Sequence, residues 1–177
     1  MRDVHSQPPT PTPAADSGQT RTVAADDRLS AELTSVVAGA RRRALRDGDR
    51  QIDTAHLLHS LLETDPAVRA LFDGGQVARL LGYLVQRSIG YGLQWQGAVE
   101  DSGALPVVRE VAGWSPSAAT AMEAALATAD RRGARQVGGV DLLLALARDP
   151  ECRAVEVLRR AGVDAEALAA QAHPTGS

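Results

Sequence analysis

The chain has 177 residues, 44% of them hydrophobic and 23% charged, with a formal net charge of −3; these values fit a globular chain with a core and exclude a disordered polymer or a fibre. All 19 basic residues are arginine, which rules out a Walker-type phosphate loop, a Schiff-base lysine and side-chain amine acylation. The single cysteine, Cys152, allows neither an intramolecular disulfide nor a thiolate zinc site, and the slight acidity makes sequence-independent nucleic-acid binding unfavourable.

Aromatic residues are only 3% of the chain, against 32 alanines and 20 leucines. A core must therefore be built from small and branched aliphatic side chains, and the bias favours helix. No run of 18 apolar residues and no secretory leader is present, so the expected location is cytoplasmic.

Residues 1–27 are rich in Pro, Thr, Ser and Asp and nearly free of apolar side chains, which predicts a disordered tail. Residues 28–173 read as one domain of two repeats, 28–88 and 114–173, joined by a linker at 89–113. Ser30 is the expected cap of a helix that turns Leu33, Val36, Val37, Ala40 and Ala44 inward and ends at Gly48. A short polar turn and Ile52 lead to the leucine-rich helix HLLHSLL, with Thr54 as its expected cap. Asp65-Pro66 then opens a third short helix, and a fourth closes the repeat. The linker carries five glycines and a proline, which argue against a long helix, while Trp95 and Leu105–Val111 are expected to pack on the domain. In the second repeat Ser115-Pro116 starts a helix with Ala118, Ala121, Met122, Ala125 and Ala129 on one stripe, stopping at Gly133. After Val137 come DLLLALA, then CRAVEVLRR, then AEALAAQA behind its expected cap Asp164. The last residues, around HPTGS, are expected to fray.

The two repeats align at an offset of 85. From Leu29/Trp114 to Leu62/Ala147, ten of 34 positions are identical, including Gly48/Gly133, Arg50/Arg135, Gln51/Gln136, Leu57/Leu142 and Leu58/Leu143. Paired Gly, Arg-x-Gln and Leu-Leu at one register indicate an internal duplication. The expected fold is all-α, a pseudo-two-fold duplication of a four-helix repeat with about eight helices.

This pattern resembles the Clp N-terminal domain, the double four-helix repeat that precedes the ATPase rings of Clp-type protein unfoldases. The residues that carry the resemblance are Ala44–Gly48 through Ile52-Asp53-Thr54-Ala55-His56-Leu57-Leu58, Trp114-Ser115-Pro116 through Gly133, Asp141–Leu144, and the closing Val157-Leu158-Arg159-Arg160-Ala161-Gly162-Val163-Asp164. The resemblance implies a Clp N-terminal-domain-like fold and a stand-alone copy without ATPase modules. It further implies a non-enzymatic protein- or peptide-binding module, an adaptor, accessory or decoy in regulated proteolysis. The partner would be a Clp-type unfoldase, an adaptor or a substrate peptide, with no cofactor and no membrane. Alternatives are sequestration of cyclic peptide antibiotics that target such unfoldases, or a regulator that binds nucleic acid through its Arg-rich first helix. In some members of the family an acidic residue that helps hold phosphorylated arginine stands where this chain has Ala55 and Val140, neither of which can pair with a cation.

Among candidate binding residues, Thr54 and His56 keep the family's places. Each reads first as structural, a cap and a hydrogen-bonded histidine at a helix start, with a binding role second. Trp114, with Leu29 at its place in the first repeat, reads either as a buried staple or as an anchor in a peptide groove. Arg42 and Arg46 stand in the densest positive stretch, but Arg41-Arg42-Arg43 fan over about 200° of a helix and make a solvated face before they make a docking patch. His56, His59 and Glu63 have helical spacing but no metal-site signature, and no metal is expected. Cys152 lacks any motif for nucleophilic catalysis and reads as an inert, half-buried thiol.

Overall fold

The computed structural model describes residues 27–88, 99–101 and 113–171. The tail expected at 1–27, but for its last residue, most of the linker with Trp95 and Leu105–Val111, His5, His173 and the expected frayed end lie outside the described residues. Eight helices are present among those described. The first repeat holds α1 (Ala31–Asp47), α2 (Thr54–Thr64), α3 (Pro66–Arg69) and α4 (Gly74–Ser88). The second holds α5 (Pro116–Arg131), α6 (Gly139–Ala147), α7 (Arg153–Arg160) and α8 (Ala165–Ala170). The all-α expectation holds.

Local signals act as the sequence implies. Ser30 and Ser115 cap α1 and α5, each hydroxyl accepting from an amide three residues on, Leu33 and Ala118, at 3.1 Å. Gly48 and Gly133 follow those helices at φ 74° and 69°, a left-handed turn that side chains with a Cβ rarely adopt. Leu33, Val36, Ala40 and Ala44 are buried, while Val37 and Met122 are only half-buried. Asp164 caps α8 through the Ala167 amide at 3.0 Å.

The two leucine-rich helices form the centre. Every residue of α2 from Thr54 to Leu62 is buried, as is α6 except Val140. A helix with no solvent face must be enclosed by others. Enclosure of α2 comes from α1 in its own repeat and from α7 in the other, and α6 packs on α5, α8 and, across the repeats, α3.

The repeats are also stitched by backbone. The Ser30 amide donates to the Val137 carbonyl at 2.9 Å, and the Val137 amide donates to the Arg28 carbonyl at 2.7 Å. At the positions 85 residues later the same two bonds recur in exchange, Ser115 amide to Ile52 carbonyl and Ile52 amide to Gly113 carbonyl, both at 2.8 Å. Leu29 thus bridges to Val137, and Trp114 to Ile52, in parallel. The residue after each polar turn completes the start of the other repeat.

At Gly139 the repeats approach too closely for a side chain. A Cβ there would stand 2.1 Å from Asp65 Oδ2 and 3.1 Å from Leu61 Cδ2, and Asp65 is itself tied down because Oδ1 caps α3 through the Ala67 amide at 2.9 Å. Gly139→Ala is therefore predicted to cost about 1–3 kcal/mol by overpacking, and Asp164→Ala about 1 kcal/mol by loss of a cap. Urea unfolding of both variants measures this; a neutral Gly139→Ala would contradict the close approach.

Candidate functional site

The interface between the repeats is polar at one end. Asp53, not Thr54, is the N-cap of α2: its backbone is extended at φ −102°, ψ 175°, and Oδ1 accepts from the His56 amide at 2.8 Å. The expected cap moves one residue back because Thr54 is already helical and its hydroxyl is used elsewhere. Asp53 Oδ2 binds Arg87, in the last turn of α4, and Arg153, in the first turn of α7, the latter at 2.8 Å. Burial works to raise the Asp53 pKa, yet the His56 ring, Arg87, the His56 amide and Arg153 outweigh it and hold the carboxyl below its usual range.

Glu100 completes this seam. Its buried carboxylate accepts from the Thr54 amide at 2.9 Å, the Thr54 hydroxyl, the Ser115 hydroxyl at 2.9 Å and the Arg153 amide at 2.7 Å. One acidic side chain thus serves the N-terminal amides of α2 and α7, where helix dipoles favour negative charge. The Thr54 hydroxyl in turn accepts from the Ala154 amide at 3.0 Å. Nothing in the sequence marks Glu100, because the 89–113 stretch has no periodic pattern from which to place it.

The third helical residues of α2 and α6 are duplicates with different partners. Asp141 accepts from the Gly138 amide at 2.9 Å and pairs in two-pronged fashion with Arg132 at 2.6 and 3.1 Å. Burial pushes its pKa up, but the Arg132 hydrogen bond and the Gly138 amide prevail and lower it. His56 takes the same backbone role: Nδ1 accepts from the Asp53 amide at 3.0 Å. Its Nε2 faces Asp49 Oδ2 at 2.9 Å and Asp47 Oδ2 at 3.7 Å. Burial, aided by Arg87, lowers the His56 pKa against the pull of Asp53, Asp49 and Asp47. His59 has separate surroundings: it lies 3.2 Å from Glu63, which Arg43 also binds at 2.5 Å. Burial and the Arg43 charge, then Arg46, depress its pKa to about 4 against Glu63. The two imidazoles therefore share no site, despite their helical spacing.

A cavity of about 270 Å³ opens in the second repeat. Its walls are the first turns of α5 (Ser117, Thr120, Ala121, Ala124), the end of α6 (Ala145, Leu146) and the turn Arg148-Asp149-Pro150, with Thr54 and Cys152 at the inter-repeat side. Small side chains create it. In the first repeat the counterparts of Ala121 and Ala145 are Val36 and Ser60, and the Ser60 hydroxyl packs over Gly39 to reach the Val36 carbonyl at 2.6 Å. Thr120 is among the lining residues, but its hydroxyl oxygen is shielded from solvent and has no hydrogen-bond partner. Cys152 is fully rather than half buried, and burial, with Glu100 and Asp149 nearby, pushes its thiol up to about 12, so it offers no thiolate.

The six residues singled out from sequence are not gathered in one place. Thr54 lines the cavity but is otherwise consumed by Glu100 and Ala154. His56 is completely enclosed in the first turn of α2. Leu29 and Trp114 are half-buried against the core and pair with the opposite repeat, and neither lines the cavity. Arg42 and Arg46 are exposed on α1, with Arg43 turned to Glu63, so the arginine run is spread round the helix as its spacing requires.

Residues 114–175 match the family model of the Clp repeat (R) N-terminal domain. Among solved structures, the N-terminal domain of the caseinolytic protease associated chaperone ClpD from Arabidopsis thaliana superposes with a TM-score of 0.57 at 19% identity, covering 82% of this chain and 92% of that one. A chain from structural investigations of a malarial protein secretion system gives a TM-score of 0.58, also at 19% identity and with the same coverages. No curated protein sequence matches. The fold is that of Clp N-terminal domains, and the second repeat carries their sequence pattern.

Two measurements test the buried groups. Glu100→Ala strips four donors of their acceptor and is predicted to cost on the order of 4 kcal/mol, and Glu100→Gln about half of that. For His59 the native ring stays neutral to about pH 4 whereas the unfolded ring takes a proton near its ordinary value of 6.5. The unfolded state then binds more protons, so this contribution is complete above pH 6.5 and is lost as pH falls towards 4. Between pH 7.5 and 4.5 the wild type is predicted to lose on the order of 2 kcal/mol more than His59→Gln in urea titrations.

Proposed function

We propose that this chain is a non-enzymatic protein-interaction module of the Clp N-terminal type, an accessory or decoy that takes peptide segments of its partners in regulated proteolysis by Clp unfoldases. The observation that carries the reading is the second-repeat cavity. Its walls are mostly apolar, with Ser117 and Thr120 among the few polar residues that line it, the mix that small recognition sites use. A volume near 270 Å³ suits one or two side chains of a peptide rather than a large cofactor. The Clp N-terminal fold supports the same reading, since it surrounds the cavity with a rigid double repeat.

The thiol at the cavity edge is protonated and enclosed, so the site contributes binding and no nucleophile. Ala55 and Val140 hold no charge to grip a cationic side chain, which directs attention away from phosphorylated arginine and towards apolar peptide residues.

The test is capture from the source lysate with the full chain, followed by identification of unfoldase and protease subunits. Ala124→Phe, which fills the cavity from an α5 position that is only half-buried, is predicted to lower recovery of those subunits at least tenfold while the fold is retained. Arg42→Glu combined with Arg46→Glu is predicted to leave recovery unchanged. Capture of none of these subunits by the wild type, or capture that Ala124→Phe does not alter, would refute the reading. Saturable tightening of the fold by a cyclic peptide alone, in a thermal-shift titration, would replace it with the sequestration alternative.

A further inference from the structure

The polar corner around His56 has a charge arrangement that the duplication makes conspicuous. At an offset of 85, Asp47 corresponds to Arg132 and His56 to Asp141. In the second repeat these positions form a closed, two-pronged ion pair. In the first repeat the place of the cation holds the carboxylate of Asp47, the place of the anion holds a histidine, and Asp49 adds another carboxylate. Two acidic groups thus converge where the duplicated fold elsewhere seats one acid and one base.

The geometry points to a divalent transition-metal site formed by Asp47, Asp49 and His56. Oδ2 of Asp47, Oδ2 of Asp49 and Nε2 of His56 lie within 4.8 Å of one another, with Nε2 at 2.9 Å from Asp49 and 3.7 Å from Asp47. Nitrogen and oxygen donors bound at about 2.0–2.2 Å to one ion stand roughly 3–3.5 Å apart, so small side-chain adjustments bring all three onto a common centre.

A second observation is independent of the acidic pair. His56 is 0% exposed, yet Nε2 makes no hydrogen bond although Asp49 Oδ2 lies 2.9 Å away. A buried N–H left in that state costs about 1–3 kcal/mol; in the other tautomer, with the ring proton on Nδ1, Nε2 offers its lone pair to a metal ion.

The surroundings fit the group. Asp47 is the last residue of α1 and Gly48 turns the chain left-handed, so Asp47 and Asp49 stand together at the negative end of a helix dipole, which favours a cation. The Ser88 hydroxyl lies 3.3 Å from both Asp47 Oδ2 and the Leu84 carbonyl and shares its single proton between them. With Nε2 on a metal, the ring proton belongs on Nδ1, 3.1 Å from Asp53 Oδ1; the Asp53 amide gives up its bond to Nδ1 in exchange. A carboxylate behind a ligating histidine is the usual outer partner of such sites. Asp49 is 40% exposed and opens the corner to solvent. One imidazole with two carboxylates suits Zn²⁺, Co²⁺ or Mn²⁺ and leaves positions for water. Arg87 lies 3.8 Å from Asp49 Oδ2 but bonds directly to Asp53, so the site's affinity is reduced rather than blocked.

The experiment uses the full untagged chain, stripped with chelator and titrated calorimetrically with ZnCl₂, with CoCl₂ absorption as a second readout. One equivalent is expected to bind, to raise the melting temperature and to give cobalt d–d bands. Asp49→Asn, at a half-exposed position that the fold tolerates, is expected to weaken binding at least tenfold, and Asp47→Asn similarly. His5→Ala and His173→Ala are expected to leave it unchanged. Absence of saturable binding by either metal would overturn the assignment. So would stoichiometric binding that survives both aspartate substitutions.

Discussion

Neither repeat of this molecule supplies all of its own backbone partners. The chain before α1 and the chain before α5 each form their first hydrogen bonds to the residue after the polar turn of the opposite repeat. Those bonds are buried by Ile52 and Val137, both near-fully enclosed. Buried amides and carbonyls without partners are costly, so a single repeat would expose or orphan them. It would also leave α2 without α7 and α6 without α3. The duplication is therefore a folding requirement as well as a history: two marginal units become one core by completing each other.

Within that symmetric frame the side chains have diverged, and the divergence locates the chemistry. Duplicated positions carry Thr54 and Gly139, His56 and Asp141, Asp47 and Arg132, Ser60 and Ala145. Where Thr54 binds Glu100, Gly139 instead admits Asp65. Where Ser60 closes over Gly39, Ala145 and Ala124 leave the cavity. The backbone exchange sets positions and the local substitutions decide whether a position is packed, paired or open.

The sequence exposed the parts governed by local rules. Caps at Ser30, Ser115 and Asp164, the glycine stops at Gly48 and Gly133, the buried leucine helices and the offset of 85 could all be read from spacing. Thr54 was misplaced as a cap because Asp53 and Thr54 are both good capping residues and only the inter-repeat demand on the Thr54 hydroxyl separates them. Glu100 and the pairing of Asp53 with Arg87 and Arg153 were not legible, since they join residues 15 to 100 positions apart without any periodic signature. The cavity was hidden for a related reason. It is defined by what Ala121, Ala124 and Ala145 do not fill, and an alanine-rich helix looks the same in sequence whether its neighbour closes over it or not.

The lysine-free composition takes on a different sense once these joints are seen. Arg132 grips Asp141 with two nitrogens, and Arg153 and Arg87 meet the same Asp53 oxygen from different helices. A planar, permanently charged fork reaches such buried carboxylates with several donors at once, which a single ammonium does poorly. The joints converge on one turn of helix. Asp53 anchors the first turn of α2 to both α4 and α7, Thr54 forms cavity wall and binds Glu100, and His56 faces the Asp47–Asp49 corner.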